Sequence, residues 1–197
     1  FVYGVFLLYL LAPVPGKRPV VPVCACVVTL CLSALLTAKT VQRQDLALTV
    51  LDVGQGQSVL LVSDGYFALT DCGSANNWQD PGETAVHQLR TMGCQTLDYL
   101  ILTHYDSDHI NGAVKLLEHI PVSTLLVPEL PEAGSPGLAI LKAAEAQGTE
   151  FRVLTEAETI GFGSAALTVY PPVSDKGDNE RGLSLLATVG ETDLLIT

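Results

Sequence analysis

The sequence lacks several features that define small or unstructured proteins. Its 197 residues include five cysteines but no Cys-x-x-Cys pair, which excludes a disulfide-stapled mini-protein and the metal and redox motifs built on that pair. Aromatic residues make up only 6%, and ten basic residues stand against 21 acidic ones. Hydrophobic residues reach 48%, so the composition excludes disordered and collagen-like chains. The sequence predicts a folded, acidic protein with an apolar core.

The charges divide the chain into two parts. Residues 1–44 contain four basic residues and no acidic one, whereas residues 45–197 contain 21 acidic and six basic residues, so the net charges are +4 and −15. Such asymmetry is typical of a membrane-associated segment joined to an acidic domain outside the membrane. We therefore expect residues 1–44 to be the end of a membrane domain and residues 45–197 to form one domain.

The first part contains two stretches without charge. Residues 1–15 are short and are predicted to be the end of a helix, and residues 20–38 include only three polar residues. About 20 apolar residues are enough to cross a bilayer as a helix, so residues 20–38 are predicted to form a transmembrane helix. The alternative is a secretory signal peptide, with small residues around Leu32-Ser33-Ala34.

The second part alternates short apolar runs with turn residues. Runs rich in β-branched residues predict strands, and Asp64-Gly65 between two such runs predicts a hairpin turn. The predicted strands lie at 46–53, 58–62, 66–70, 96–102, 124–127, 151–154, 166–169, 183–189 and 193–196, and the predicted helices at 82–92, 110–119 and 137–147. This order predicts an α/β or mixed α+β sandwich.

The densest group of chemically active residues follows an apolar strand. The segment Thr103-His104-Tyr105-Asp106-Ser107-Asp108-His109 supplies four candidate metal ligands within six positions: His104, Asp106, Asp108 and His109. Imidazole and carboxylate together suit Zn, Mn or Fe, and two adjacent ions could activate a water molecule for hydrolysis. The alternative is a polar turn in which Asp108 caps the next helix.

The pattern Thr-His-x-Asp-x-Asp-His-x-x-Gly resembles the signature of the metallo-β-lactamase superfamily, whose common form has His at the position of Asp106. Leu51-Asp52-Val53-Gly54-Gln55-Gly56 and Leu69-Thr70-Asp71-Cys72-Gly73 narrow the resemblance to the C-terminal domain of ComEC-type competence proteins, which are bacterial DNA-uptake channels. The resemblance covers residues 46–197 and implies a metallo-β-lactamase-like αββα sandwich preceded by a transmembrane helix.

The resemblance also implies roles for particular residues. His104 and Asp106 would bind one divalent ion and Asp108 and His109 a second, with Mn or Zn as the metals and Asp108 also orienting the attacking water. Asp71 would hold the metal loop, residues 103–109, by hydrogen bonds, although an ordinary turn aspartate at the end of a strand is the alternative. Asn179 matches an asparagine that precedes an apolar strand in the family.

The sequence departs from the family pattern in three places. Gln57 stands where relatives usually have Asp, and Gly182 stands where Ser is usual. The family continues beyond the position of Thr197 with Gly-Asp, whose Asp bridges both metals, and later with a further His ligand. We therefore expect the chain to be the N-terminal portion of the domain, truncated at its C-terminus and inactive by itself, with activity in the full-length protein.

Three functions remain open from the sequence. The first is a membrane-anchored nuclease that hydrolyses the non-transported DNA strand during natural transformation, with single-stranded DNA and other competence proteins as partners. The resemblance places it in the bacterial inner membrane as a multi-pass protein, with this domain on the extracytoplasmic face. The second is a non-catalytic docking domain of the channel, and the third is a small-substrate hydrolase of the same superfamily.

One aromatic side chain outside the motifs has two interpretations. Trp78 lies in the polar run Asn76-Asn77-Trp78-Gln79-Asp80. It could stack on a nucleobase, since one such contact contributes about 1 to 3 kcal/mol. The alternative is that the indole anchors its own loop against the protein.

Overall fold

The strand pairings of the unit Gln44–Thr197 follow from the turn residues between its apolar runs. A computed structural model describes residues 20–41, 45–76, 78–132, 134–172 and 182–197. Asp64 and Gly65 both have positive φ angles, 49° and 90°, as expected for the predicted hairpin turn. This turn joins the second and third strands in antiparallel register.

The larger sheet has six strands whose direction changes part-way across it. In the order of the sheet these are β1 (Ala47–Val50), β2 (Val59–Ser63), β3 (Tyr66–Thr70), β4 (Leu97–Ile101), β5 (Val122–Val127) and β6 (Glu150–Val153). The β1–β2 and β2–β3 pairs are antiparallel, and the pairs from β3 to β6 are parallel. The carboxyl ends of β3, β4 and β5 therefore lie at the same edge of the sheet.

The smaller sheet is antiparallel throughout, in the order β10-β9-β8-β7. Its strands are β7 (Glu158–Phe162), β8 (Ala165–Tyr170), β9 (Ser184–Val189) and β10 (Thr192–Ile196). Strand β7, at the edge of this sheet, was not among the strands predicted from the sequence. Ile160 and Phe162 are buried there while Thr159 and Gly161 are exposed, but the glycine and the glutamate in this short segment weaken the strand pattern.

The described residues of this unit form four helices: α2 (Pro81–Thr91), α3 (Ser107–Ile110), α4 (Ala113–His119) and α5 (Pro136–Gln147). The single helix predicted over 110–119 is wrong, because Asn111 and Gly112 separate α3 from α4. The N–H of Gly112 donates to the carbonyl of Cys72 at 2.8 Å, and a Cβ at Gly112 would lie 2.4 Å from the backbone nitrogen of Gly82. A tertiary contact therefore interrupts the helix.

Two apolar clusters hold three layers together. On one face of the larger sheet, Leu69, Leu100 and Leu125 pack against α2, α4 and α5. On the other face, Leu61 and Ile101 belong to the cluster that includes buried residues of the smaller sheet. The described residues of this unit therefore form helix, sheet and sheet layers, which are three of the four layers of the expected αββα sandwich.

In the unit Phe1–Arg43, helix α1 covers Val20–Val41. None of the helices in the described ranges is both long enough and apolar enough to cross a membrane. The transmembrane role of residues 20–38 therefore stays a prediction. The helix expected at 1–15 lies outside the described residues.

The packing of the two sheets predicts unequal effects for the same substitution on neighbouring strands. Leu185 on β9 is 1% exposed, whereas Leu195 on β10 is 64% exposed. We expect Leu185→Ala to lower the free energy of unfolding by about 2 to 5 kcal/mol, because it leaves a cavity. Leu195→Ala should change it by no more than about 0.5 kcal/mol. Chemical denaturation measures both, and equal losses would contradict the two-sheet core.

Candidate metal centre

The candidate centre lies where β3 and β4 end side by side. Asp71 directly follows β3, and Thr103 follows β4 after one residue. The two strands are parallel neighbours, so residues 32 positions apart in sequence meet at one edge. The backbone N–H of Thr103 donates to Oδ1 of Asp71 at 2.8 Å, and the Thr103 hydroxyl donates to Oδ2 at 2.7 Å.

The Asp71 carboxylate accepts the hydrogen bonds that hold the candidate centre together. Asp71 is fully buried, and its φ of +58° lies in the left-handed region, which Asp adopts more readily than most residues. Its Oδ2 lies 2.8 Å from Nδ1 of His109. An ionised carboxylate only accepts hydrogen bonds, so Nδ1 of His109 carries the hydrogen and Nε2 keeps its lone pair. A carboxylate that orients a histidine in this way is the usual support of a metal-binding imidazole.

Thr103 orients His104 by a hydrogen bond, as Asp71 orients His109. Its Oγ1 lies 2.9 Å from Nδ1 of His104, and its hydroxyl hydrogen is already directed to Asp71. The ring nitrogen of His104 must therefore donate, which leaves Nε2 of this residue free as well. The centroids of the His104 and His109 rings are 3.9 Å apart. The sequence analysis assigned no role to Thr103, although its position directly before His104 at a strand end was the available signal.

Each free imidazole nitrogen is near one carboxylate. Nε2 of His104 lies 3.4 Å from Oδ2 of Asp106, and Nε2 of His109 lies 3.9 Å from Oδ2 of Asp108. Two ligands of a tetrahedral ion, each about 2.1 Å from it, are roughly 3.4 Å apart. The donor set therefore fits divalent metals. Across the described ranges, no three His, Cys, Asp or Glu side chains converge into a preassembled metal site, so the centre consists of two His–Asp pairs.

The helix-capping alternative for this loop is wrong. Helix α3 begins at Ser107, and its N-cap is Asp106 rather than Asp108. Asp106 makes no capping hydrogen bond with its side chain. The side chains of Asp106 and Asp108 are instead 48% and 41% exposed, so both carboxylates remain accessible from solvent.

Two glycine-containing loops support the metal loop through backbone contacts. The N–H of Gln57 donates to the carbonyl of Asp108, and the N–H of Gly73 donates to the carbonyl of Gln57, both at 3.1 Å. A Cβ at Gly56 would lie 2.3 Å from the carbonyl oxygen of Gly73, and one at Gly73 would lie 2.3 Å from the nitrogen of His109. Glycine is therefore required at both positions because the three backbones approach so closely.

Burial and the charges around the centre act in opposite directions on the pKa of His109. Burial lowers its pKa, but the hydrogen bond that its ring donates to Asp71 and the negative charges of Asp71, Asp108 and Asp106 outweigh burial and raise the pKa above its usual value. Cys72, next to Asp71, is fully buried. Burial first, and then the charges of Asp71 and Asp80, raise the pKa of its thiol.

Tyr105, Gln57 and Asn179 are the other residues of interest around the candidate centre. The hydroxyl of Tyr105, in the metal loop, donates to the carbonyl of Glu129 at 2.7 Å, which ties the loop to the segment before α5. Gln57 occupies the position of the usual Asp, and among the described residues nothing accepts a hydrogen bond from its buried Nε2. Asn179 lies outside the described residues, and its role stays a prediction.

The model of the metallo-β-lactamase superfamily matches residues 51–194, a range that contains every element of the centre. The chain belongs to the metallo-β-lactamase superfamily. Its fold is similar to that of a putative metallo-β-lactamase from Thermotoga maritima, with a TM-score of 0.54, 16% identity, and 78% of each chain covered. A metallo-β-lactamase from Cronobacter sakazakii aligns with a TM-score of 0.52 and 15% identity, over 76% of this chain and 60% of that one.

The sequence relatives of this metallo-β-lactamase-like chain are competence and recombination proteins, which confirms the resemblance to ComEC-type proteins. Recombination protein 2 of Haemophilus influenzae is 26% identical over 174 residues, which is 87% of this chain and 20% of that protein. ComE operon protein 3 of Bacillus subtilis is 24% identical over 151 residues, 70% of this chain and 20% of that protein. The chain thus spans about a fifth of the length of these relatives.

The close approach of Gly73 to the metal loop predicts a position-specific effect. Gly73→Ala should lower the free energy of unfolding by about 1 to 3 kcal/mol, because the added methyl group forces the loops apart. Gly161→Ala is the matched control, since a Cβ there meets no atom within 4 Å, and it should change stability by no more than about 0.5 kcal/mol. Denaturation curves measure both, and a silent Gly73→Ala would contradict the described packing.

Loss of the Asp71 charge should disturb the centre more than loss of a similar carboxylate elsewhere. Asp71→Asn places an amide N–H₂ against groups that also donate, so we expect a loss of about 1 to 3 kcal/mol in unfolding free energy and weaker zinc binding. Asp98→Asn is the control, because Asp98 accepts a hydrogen bond from the backbone of Phe67, which an amide oxygen can also accept. Calorimetry provides both measurements, and equal behaviour of the two variants would count against the role of Asp71.

Proposed function

We propose that the domain is the metal-dependent nuclease of a DNA-uptake channel and hydrolyses phosphodiester bonds of the non-transported strand. The supporting observation is the pair of imidazoles whose Nδ1 atoms are held by Asp71 and Thr103 and whose Nε2 atoms lie near carboxylates. The similarity to competence and recombination proteins adds the biological context. The claim of DNA hydrolysis rests on these two facts together.

The four candidate ligands would have two tasks, which are to hold the metal ions and to orient the attacking water. His104 with Asp106, and Asp108 with His109, would hold two divalent ions, which supply a Lewis acid for the phosphate and a water molecule of lowered pKa. Asp108 would also accept a hydrogen bond from the attacking water and so orient it. Asp106 and Asp108 are both exposed at the surface, which suits a polymer that lies across the centre rather than a small molecule enclosed in a pocket.

The donor set gives a mild preference among metals. Asp106 replaces the usual histidine, and carboxylate oxygen suits harder ions better than imidazole does. Mn is therefore favoured slightly over Zn at the His104–Asp106 pair. Both metals belong to the proposal.

We also propose where the domain lies in the full-length protein and which proteins it works with. Residues 1–44 would form the end of a multi-pass domain in the bacterial inner membrane, with the catalytic domain on the extracytoplasmic face and other competence proteins as partners. The net charge of −15 on residues 45–197 opposes DNA binding, since phosphate contacts normally come from Lys and Arg. Other parts of the full-length protein must therefore deliver the single strand to the centre.

One observation supports a second candidate, a non-catalytic docking domain of the channel. Gln57 replaces an acid beside the metal loop, and its buried amide nitrogen has no acceptor among the described residues. A docking domain would retain the fold but bind no stoichiometric metal. Metal content measured on the purified full-length protein separates the two candidates.

The nuclease proposal is tested by hydrolysis of labelled single-stranded DNA with the full-length protein in Mn or Zn. Asp108→Ala should lower the rate by about 10² to 10⁴-fold, the contribution of a positioned proton acceptor. Asp193→Ala removes an exposed carboxylate on β10, in the smaller sheet, and should leave the rate unchanged. A folded, metal-loaded protein that cleaves no DNA would overturn the proposal, and activity on a thioester or lactone instead would indicate a small-substrate hydrolase.

A further inference from the structure

Trp78 is the one tryptophan of the chain, and its side chain is 90% exposed. No other large hydrophobic side chain in the described ranges is as exposed; Val50 follows at 70%. The loop-anchor interpretation is therefore wrong, because the indole is almost entirely uncovered. An exposed tryptophan offers the largest apolar and aromatic surface of any side chain, and aromatic rings gain most when a second flat ring covers them.

The loop that carries Trp78 begins beside the metal centre. Ser74 is fixed by Asn111, whose Oδ1 accepts from the Ser74 N–H at 3.0 Å and whose Nδ2 donates to the Ser74 carbonyl at 2.6 Å. Asn111 is two residues after His109, and the N–H of Ala75 donates to the carbonyl of Gln55 at 2.5 Å. Four residues span at most about 14 Å, so Trp78 stays within that distance of Ser74.

The other end of the loop is fixed as well. Asp80 caps helix α2 by accepting from the N–H of Glu83 at 3.0 Å, and its second oxygen accepts from Nζ of Lys115 at 2.6 Å. Lys115 also lies 3.2 Å from the Glu83 carboxylate. Trp78 thus lies between two anchored points of the loop, the first of which is bonded to Asn111 next to the candidate centre. Lys115 offsets part of the negative charge of Asp80 and Glu83.

From this placement we propose that Trp78 is a stacking platform for a base of single-stranded DNA, a few nucleotides from the bond held at the metal centre. The inference rests on the proposed nuclease function and adds a substrate-binding residue to it. Base stacking needs no positive charge, since every base has a π-face. It therefore supplies affinity that an acidic domain cannot obtain from phosphate contacts.

The surroundings of Trp78 argue against a membrane contact. Interfacial anchoring normally combines aromatic with further apolar or basic side chains. The neighbours of Trp78 are Asn76, Gln79 and Asp80, with Glu83 one turn further on. These described neighbours in the sequence are polar or acidic, so they favour neither insertion into a bilayer nor contact with anionic lipid.

The sole tryptophan makes the test direct, because its fluorescence reports on its own contacts. The 197-residue chain, purified in non-ionic detergent with Zn²⁺, is titrated with phosphorothioate oligothymidylate, which resists cleavage. An abasic phosphorothioate strand of equal length and charge is the matched ligand control. We expect quenching with oligothymidylate and none with the abasic strand. Equal quenching by both strands, or no quenching while oligothymidylate binds, would overturn the proposal.

Variants measure the contribution of the indole to affinity. Fluorescence polarisation of labelled oligothymidylate should show binding weakened about 5- to 150-fold by Trp78→Ala, the fold-change that corresponds to one stacked base, and only slightly by Trp78→Phe. Tyr66→Ala is the control, because Tyr66 is 47% exposed but lies at the opposite end of β3 from the centre. Unchanged binding in Trp78→Ala, or a blue shift with phosphatidylglycerol vesicles in place of quenching by DNA, would contradict base stacking.

The outcomes also separate this inference from the proposed function. Base-dependent quenching in a protein that never hydrolyses DNA would retain the stacking platform and remove the nuclease. Hydrolysis by the full-length protein with the same KM for Trp78→Ala and the unsubstituted chain would retain the nuclease and remove the platform.

Discussion

The buried carboxylate of Asp71 is the interaction on which the centre depends. It receives hydrogen bonds from the backbone and hydroxyl of Thr103 and from the ring of His109, and through Thr103 it also determines the orientation of His104. A fully buried charge is costly unless its hydrogen bonds are satisfied. The fold satisfies them with groups of the metal loop itself, so the stability of the loop and the direction of both imidazoles have the same origin.

The parallel arrangement of β3 and β4 makes this interaction possible. Their carboxyl ends meet at one edge, and the loops that contain Gly56 and Gly73 approach the metal loop so closely that no side chain fits between the backbones. The carboxylates of Asp106 and Asp108 remain at the surface, near imidazoles whose Nδ1 atoms already donate hydrogen bonds. This combination keeps the histidines ordered and leaves the carboxylates accessible to a large substrate.

The features encoded by local residue patterns could be predicted from the sequence, whereas those created by tertiary contacts could not. The hairpin at Asp64-Gly65 depends on neighbouring residues and was predicted, as was the apolar strand β4 that leads to residues 103–109. The break between α3 and α4 depends on the contact of Gly112 with Cys72 and Gly82, and β7 depends on burial against the second sheet. The position of Thr103 directly before His104 was a local signal, but its role depends on the distance to Asp71, which no local pattern contains.

The central claim is that Asp71 and Thr103 hold both imidazoles with hydrogen on Nδ1 and leave Nε2 for metal. Long-range ¹H–¹⁵N NMR of the histidine rings during a Zn²⁺ titration tests it most directly, at a pH above the raised pKa of His109. The chain has four histidines, so His87 and His119 serve as internal references. The account predicts that the Nε2 resonances of His104 and His109 shift while their Nδ1 nitrogens stay protonated. Shifts at Nδ1, or shifts of His87 and His119 alone, would contradict it.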